Sequence, residues 1–151
     1  MLSTQIAKHL RAVVSGGNWS DSNYQGQLKG VNWEMATAKV EGTNTILQLV
    51  YHVSYYLPYV TKVLKGGTLD ARDKYSWETP NIQSEAAWQE LKEQFWSDAA
   101  HLAEAIEQLS DEQLQADFAD PKYGSCMGNI LGIIEHLHYH LGQIVVVKKQ
   151  V

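Results

Sequence analysis

Apolar residues recur at intervals of three and four along most of the chain, which is the spacing of an amphipathic α-helix. This pattern predicts four long helices: one that ends at Gly16-Gly17, and three others over about 43–65, 84–110 and 127–149. No segment alternates apolar and polar residues for long, so we expect no substantial sheet.

The segments between these helices are polar. Residues 66–83 form a long connection, and a short helix is expected somewhere within 28–40. The spacing of Ser110 and Gln113 is that of a capping box, which predicts a short extra helix. Pro58 lies inside the second long helix and should loosen it locally. Together these features predict an all-α, four-helix bundle with a long crossover connection, formed by a single domain over residues 1–151.

Composition narrows the classes of function. A chain of 151 residues with a net charge of −5 and no basic patch does not suit nucleic-acid binding. Its one cysteine rules out an intrachain disulfide. We find no signal peptide and no run of about 20 apolar residues that would predict a membrane span. The sequence therefore predicts a soluble, cytoplasmic protein without a membrane partner.

Three of the six histidines are placed where they can share a metal ion. His136 and His140 are four residues apart, so they lie on one helix face with Cβ atoms roughly 5–6 Å apart, as in two-histidine zinc motifs. His52, on the second long helix, borders a similar apolar stripe and can supply a third ligand. His138 points to the opposite side. Three protein ligands leave a coordination position open, which is typical of catalytic or substrate-binding sites.

Alternative interpretations remain for each of these residues. Histidines on helices often serve only as core or surface residues, which we expect for His9 and His101, and His138 suits the surface or an interface. Cys126 begins the last helix, where the helix dipole can lower its pKa, but it can also be an incidental buried thiol.

Two further positions near the histidines bear on a ligand pocket. Gln143 lies one turn beyond His140 and can orient a ligand or a metal-bound water, or simply be satisfied by backbone or solvent. Tyr56 belongs to a group of tyrosines around His52 that can line a pocket, form a dimer face or cover the edge of the bundle.

Three motifs resemble those of the DinB-like, or YfiT-like, family of four-helix-bundle metalloenzymes. They are Thr-Ile-Leu-Gln-Leu-Val-Tyr-His at 45–52, His-Leu-His-Tyr-His-Leu-Gly-Gln-Ile at 136–144 and Gly-Asn-Trp at 17–19. The resemblance implies an up-down-down-up bundle, a homodimer, and a zinc, nickel or iron ion on the three histidines. It also implies that some relatives are transferases that use a low-molecular-weight thiol.

The sequence departs from the family at Tyr139, where members often carry a histidine, and this residue is expected beside the pocket. We predict a divalent-metal-binding protein that acts on a small-molecule ligand, as a thiol S-transferase or a related hydrolase. The alternatives are a non-catalytic protein that binds metal or a small ligand, and a structural module with incidental histidines.

Overall fold

The structure is a computed structural model that describes residues 1–151. It is all-helical, as predicted, and its only extended pairing is an isolated bridge between Asp117 and Ser125. Short 3-10 helices cover Asp73–Trp77 and Pro121–Tyr123. The α-helices are α1 (Leu2–Ser15), α2 (Tyr24–Leu28), α3 (Trp33–Thr37), α4 (Ile46–Leu64), α5 (Glu85–Glu107), α6 (Asp111–Gln115) and α7 (Cys126–Lys148).

Side-chain caps fix where the helices begin. At the start of α4, the Thr45 hydroxyl accepts a hydrogen bond from the Gln48 amide nitrogen at 3.1 Å, and the Gln48 side chain accepts one from the Thr45 nitrogen at 2.8 Å. The same reciprocal arrangement at Ser110 and Gln113 opens α6, so the predicted capping box and extra helix are confirmed. These caps satisfy backbone donors that have no partner within the helix.

The four long helices enclose one core. Helix α1 packs against α5, α5 against α4, and α4 against α7, while α7 also contacts α1. The core cluster contains 33 buried apolar residues. Burial of this apolar surface is the main force that holds the helices together. The up-down-down-up order of their directions stays a prediction.

Two short helices occupy the region before α4. Helix α3 confirms the short helix expected within 28–40, whereas α2 was missed because its central Gly26 disfavours a helix. Asn23 and Asn32 cap these helices. The buried Tyr24 side chain anchors α2 against α7, because its hydroxyl donates a hydrogen bond to the Leu137 carbonyl at 2.7 Å.

Helix α7 carries two of the three candidate ligands and is apolar for most of its length. By length and composition it could cross a membrane, since its most apolar window has a mean hydropathy of 1.3. However, it packs against α1, α2, α4 and α6. The central helix of a bundle has the same composition, so this property is weak evidence for a membrane span.

Candidate metal centre

The structure brings His52, His136 and His140 together. Their ring centroids are 4.8, 4.8 and 4.6 Å apart, and one nitrogen from each lies within 4.8 Å of the others. His52 and His140 are buried and His136 is half-buried. The four-residue step along α7 aligns two of the rings, and the packing of α4 against α7 supplies the third.

His52 is held by a serine from the connection between α4 and α5. Its Nδ1 lies 2.7 Å from the Ser76 hydroxyl oxygen, and that hydroxyl donates its own proton to the Asp73 carbonyl at 2.6 Å. Because the serine proton is already used, the serine oxygen accepts and His52 carries its proton on Nδ1. The lone pair on His52 Nε2 is therefore free, and this atom lies 3.0 Å from His136 Nε2.

Gln143 fixes the tautomer of His140 in the same way. The amide oxygen of Gln143 accepts a hydrogen bond from His140 Nδ1 at 2.6 Å, which leaves His140 Nε2 unprotonated. Gln143 thus positions a candidate ligand ring, which is one of the roles that its place one turn beyond His140 predicted. Metal-bound histidines usually have such a partner for their second nitrogen, because it fixes the tautomer and the ring orientation.

The protonation state of the cluster also suits a metal ion. Burial, followed by the neighbouring His136 and His140, lowers the pKa of His52 to about 4. Burial and then His140 lower the pKa of His136 to about 4. The imidazoles are therefore neutral at physiological pH, as coordination requires. Nitrogen ligands of a tetrahedral zinc ion lie roughly 3.3 Å apart, which is close to the 3.0 Å between the Nε2 atoms of His52 and His136, and all three candidate ligand nitrogens lie within 4.8 Å of one another.

Aromatic rings surround the cluster. The Trp77 ring stacks on His52 with centroids 3.8 Å apart and planes inclined by 14°. The Tyr56 ring lies edge-on, 5.5 Å from both His52 and His136, and its hydroxyl donates to the Asp73 carboxylate. Burial and that hydrogen bond raise the pKa of Tyr56 to about 12, so its hydroxyl stays protonated. Tyr56 thus lies next to the site, where the sequence placed it.

Tyr139 lies on the outer side of the site. Its side chain is 66% exposed, and its ring centroid is 4.9 Å from that of His140. Tyr139, Gly142 and Gln143 border a cavity of about 410 Å³ that none of the three clustered histidines lines. Tyr139 therefore borders this cavity and contacts His140, and its role beside a substrate pocket stays a prediction.

The remaining candidates lie apart from the cluster. The half-buried His138 ring is 6.1 Å from the ring of His9 on α1, and His101 is exposed on α5. The suggestion that the helix dipole lowers the pKa of Cys126 is wrong. Burial and the nearby carboxylate of Asp117 raise that pKa, so Cys126 is not an activated nucleophile.

Sequence reasoning missed the contribution of the connection between α4 and α5. It gave no role to Asp73 or Ser76, and it left the position of Trp77 open. The 3-10 helix that carries these residues packs against α4. One signal was available, because Trp77 is a large aromatic residue in an otherwise polar connection. Such a side chain usually packs against the body of a protein, so its presence indicated that the connection folds back onto the helices.

Comparison with known proteins places the chain in a family. A sequence model of the DinB superfamily matches residues 22–144, which include all three clustered histidines and extend from before α2 to near the end of α7. No curated protein and no solved structure matches the chain. Since the family match covers well over half of the sequence, the chain belongs to the DinB superfamily.

Proposed function

We propose that the protein binds a divalent metal ion through His52, His136 and His140, and that it is a metal-dependent enzyme acting on a small molecule. The observation that carries the proposal is the double anchoring of the cluster. The Nδ1 atoms of His52 and His140 are each held by a protein acceptor, so their unprotonated Nε2 atoms are available for an ion. Buried imidazoles need hydrogen-bond partners in any core, but core packing does not require the remaining nitrogens of three rings to converge within 4.8 Å of one another.

The residues present would divide the work at such a site. A divalent ion with an open position acts as a Lewis acid and lowers the pKa of a bound water or thiol. Ser76 and Gln143 hold the ligand rings in one tautomer, and Trp77 covers one face of His52. Zinc, nickel and iron all suit three imidazoles, and affinity order alone does not choose among them.

Within this class we propose a low-molecular-weight-thiol S-transferase, with a related hydrolase as a variant. The family resemblance and the open coordination position support this choice. In the transfer, a carbon–sulfur bond forms between the thiolate and an electrophilic carbon. The leaving group departs with the electron pair of its former bond, and the thiol proton passes to solvent. A low-molecular-weight thiol is thus the expected co-substrate.

A second candidate is a non-catalytic protein that binds metal or a small ligand. Asp73 is the acidic residue whose charge acts on His52 and His136. Its carboxylate already accepts a hydrogen bond from the Tyr56 hydroxyl. The Tyr56 hydroxyl in turn keeps its proton, with a pKa of about 12. Because Asp73 and Tyr56 are bonded to each other, neither is free to act as a general base, which favours a binding role over catalysis.

Elemental analysis of untagged protein tests the metal site. We expect about one ion per chain in the wild type and in His138→Ala, and none in His52→Ala. His138 is a matched control because it lies between the two ligands of α7 but faces away from them. Loss of metal in His138→Ala, or its retention in His52→Ala, would contradict the proposal.

The catalytic part is tested separately by following the loss of free thiol in the presence of 1-chloro-2,4-dinitrobenzene. Metal-loaded wild type and His138→Ala should accelerate the reaction, and His52→Ala should not. Equal rates in all three proteins would exclude catalysis at this site. A metal-loaded protein that turns over no thiol with a panel of electrophiles would favour the non-catalytic alternative.

The homodimer and the cytoplasmic location stay predictions. Sedimentation equilibrium over a range of protein concentrations tests the first directly. A molecular mass that stays at that of one chain throughout the range would exclude the dimer.

A further inference from the structure

A cleft of about 560 Å³ opens beside the histidine cluster, and His136 and Tyr56 line its inner end. Its size is within the range of small-molecule sites. Val60 and Phe118 of its lining are buried and most of the other lining residues are half-buried, whereas Tyr123 and Gly128 are exposed. Its apolar wall is formed by Val60, Leu69, Ala71, Phe118, Tyr123 and Ile133.

The lining indicates what the cleft can hold. None of its eleven residues is Asp, Glu, Lys or Arg, and seven are hydrophobic. The side-chain nitrogen of Asn129 already donates to the carbonyls of Tyr123 and Ser125, at 2.8 and 2.9 Å. The Tyr56 hydroxyl is engaged by Asp73. A charged group in the cleft would lose its hydration without gaining a partner, so the lining favours a neutral, apolar occupant.

Glycines on α7 keep the cleft open. Gly128 and Gly132 precede His136 in steps of four, so they lie on the same helix face and border the same cleft. Glycine inside a helix is destabilising relative to alanine. Gly132 has no backbone reason to be glycine, because its φ is not positive and an added Cβ would meet no atom within 4 Å. What glycine provides at this position is empty space one turn from a candidate ligand.

We propose that this cleft binds the apolar part of a neutral small molecule whose nitrogen, oxygen or sulfur donor reaches the histidine cluster, and that Gly132 sets the size of the group accepted. The inference rests on the proposed metal site and specifies its ligand. The 410 Å³ cavity beside Gln143 is the natural comparison, because Gly142 lines it and a Cβ there would also meet no atom within 4 Å.

Cobalt-loaded protein titrated with N-alkylimidazoles tests the proposal, with the visible spectrum of the ion as the readout. At about pH 8 these probes are neutral donors that differ only in chain length. N-Methylimidazole reports on the ion alone. From methyl to hexyl, each added methylene should tighten binding by up to about fourfold while the chain fills the cleft.

The two glycines supply matched variants. In Gly132→Leu the dependence on chain length should disappear while N-methylimidazole still binds, whereas Gly142→Leu should retain the wild-type dependence. Wild-type behaviour in Gly132→Leu, or loss of the dependence in Gly142→Leu, would overturn the assignment of the cleft. Failure of cobalt to bind the wild type would instead refute the metal site. Binding of N-methylimidazole without any gain from longer chains would refute the cleft alone.

Leu69→Ser provides a second variant in case Gly132→Leu does not fold or load cobalt. Leu69 also lines the cleft, and it belongs to a connection outside the α-helices, so its replacement changes no residue of α4 or α7. The gain per methylene should shrink in this variant, and an unchanged gain would overturn the proposal.

Discussion

Trp77 lies flat on His52, with the two ring centroids 3.8 Å apart and the planes inclined by only 14°. Trp77 ends the 3-10 helix in the connection between α4 and α5, and Ser76, the residue before it, accepts the hydrogen bond of His52 Nδ1 at 2.7 Å. Two consecutive residues therefore fix both the rotation and the tautomer of one ring. The connection between α4 and α5 is thus a part of the candidate site and not only a link between helices.

This stacking gives a fluorescence signal for metal binding. Nickel bound by the histidine cluster should quench Trp77, because an indole stacked on a ligand ring is close to the ion. We expect a saturable loss of tryptophan emission in the wild type that is largely absent in Trp77→Phe. Trp96→Phe is the matched control, because Trp96 packs against Phe95 on α5 and should leave the quenching intact. Equal quenching in all three proteins would place the ion elsewhere.

Removal of the Ser76 hydroxyl should weaken metal binding. Ser76→Ala leaves His52 Nδ1 without its acceptor, and loss of such a partner costs about 10–100-fold in metal affinity. Competition with a chromophoric chelator measures this change. In Ser54→Ala, which removes a half-buried hydroxyl on α4 that bonds only to the Tyr51 carbonyl, affinity should be unchanged. If both variants bind metal as the wild type does, the serine does not position His52.

Much of the fold was predictable because each long helix carries a continuous apolar stripe. The predicted end of the first helix at Gly16 agrees with the structure, in which α1 ends at Ser15. Gly16 follows with a φ of +112°, which favours glycine. Ser84 and Ser110 mark helix starts as their capping chemistry requires. The failure was local: α2 carries Gly26 at its centre, which disfavours a helix, so nothing in the sequence indicated one there.

The site was predictable only in part, for a physical reason. The spacing of His136 and His140 fixes their relative positions through helix geometry alone. No such rule connects His52 with Ser76, which is 24 residues away in a connection without regular periodicity. The contacts that orient the rings depend on how this connection folds back onto α4, and that is a tertiary property. For the same reason the cleft beside His136 could not be inferred from the sequence.

Gly132→Ala should stabilise the protein. Alanine removes the entropic cost of glycine inside α7, and its Cβ meets no atom within 4 Å, so the free energy of unfolding should rise by about 0.5–1 kcal/mol. Urea denaturation in the presence of a chelator measures this without a contribution from bound metal. Gly66→Ala is the opposite control, because a φ of +85° is strained for alanine and should lower the free energy of unfolding. A loss of stability in Gly132→Ala would show that this position does not face open space.

Cys126 should behave as a sluggish thiol despite its position at the start of α7. Burial and the Asp117 carboxylate raise its pKa above the ordinary value of 9.0, so little thiolate exists at neutral pH and the rate of alkylation should still be rising above pH 9. Iodoacetamide labelling followed by mass spectrometry across a pH series measures this profile. Asp117→Asn removes one of the two causes while leaving the main chain intact, so the profile should move to lower pH. A profile centred below that of a free thiol, or one that Asp117→Asn does not move, would mean that the helix dipole outweighs burial and the carboxylate.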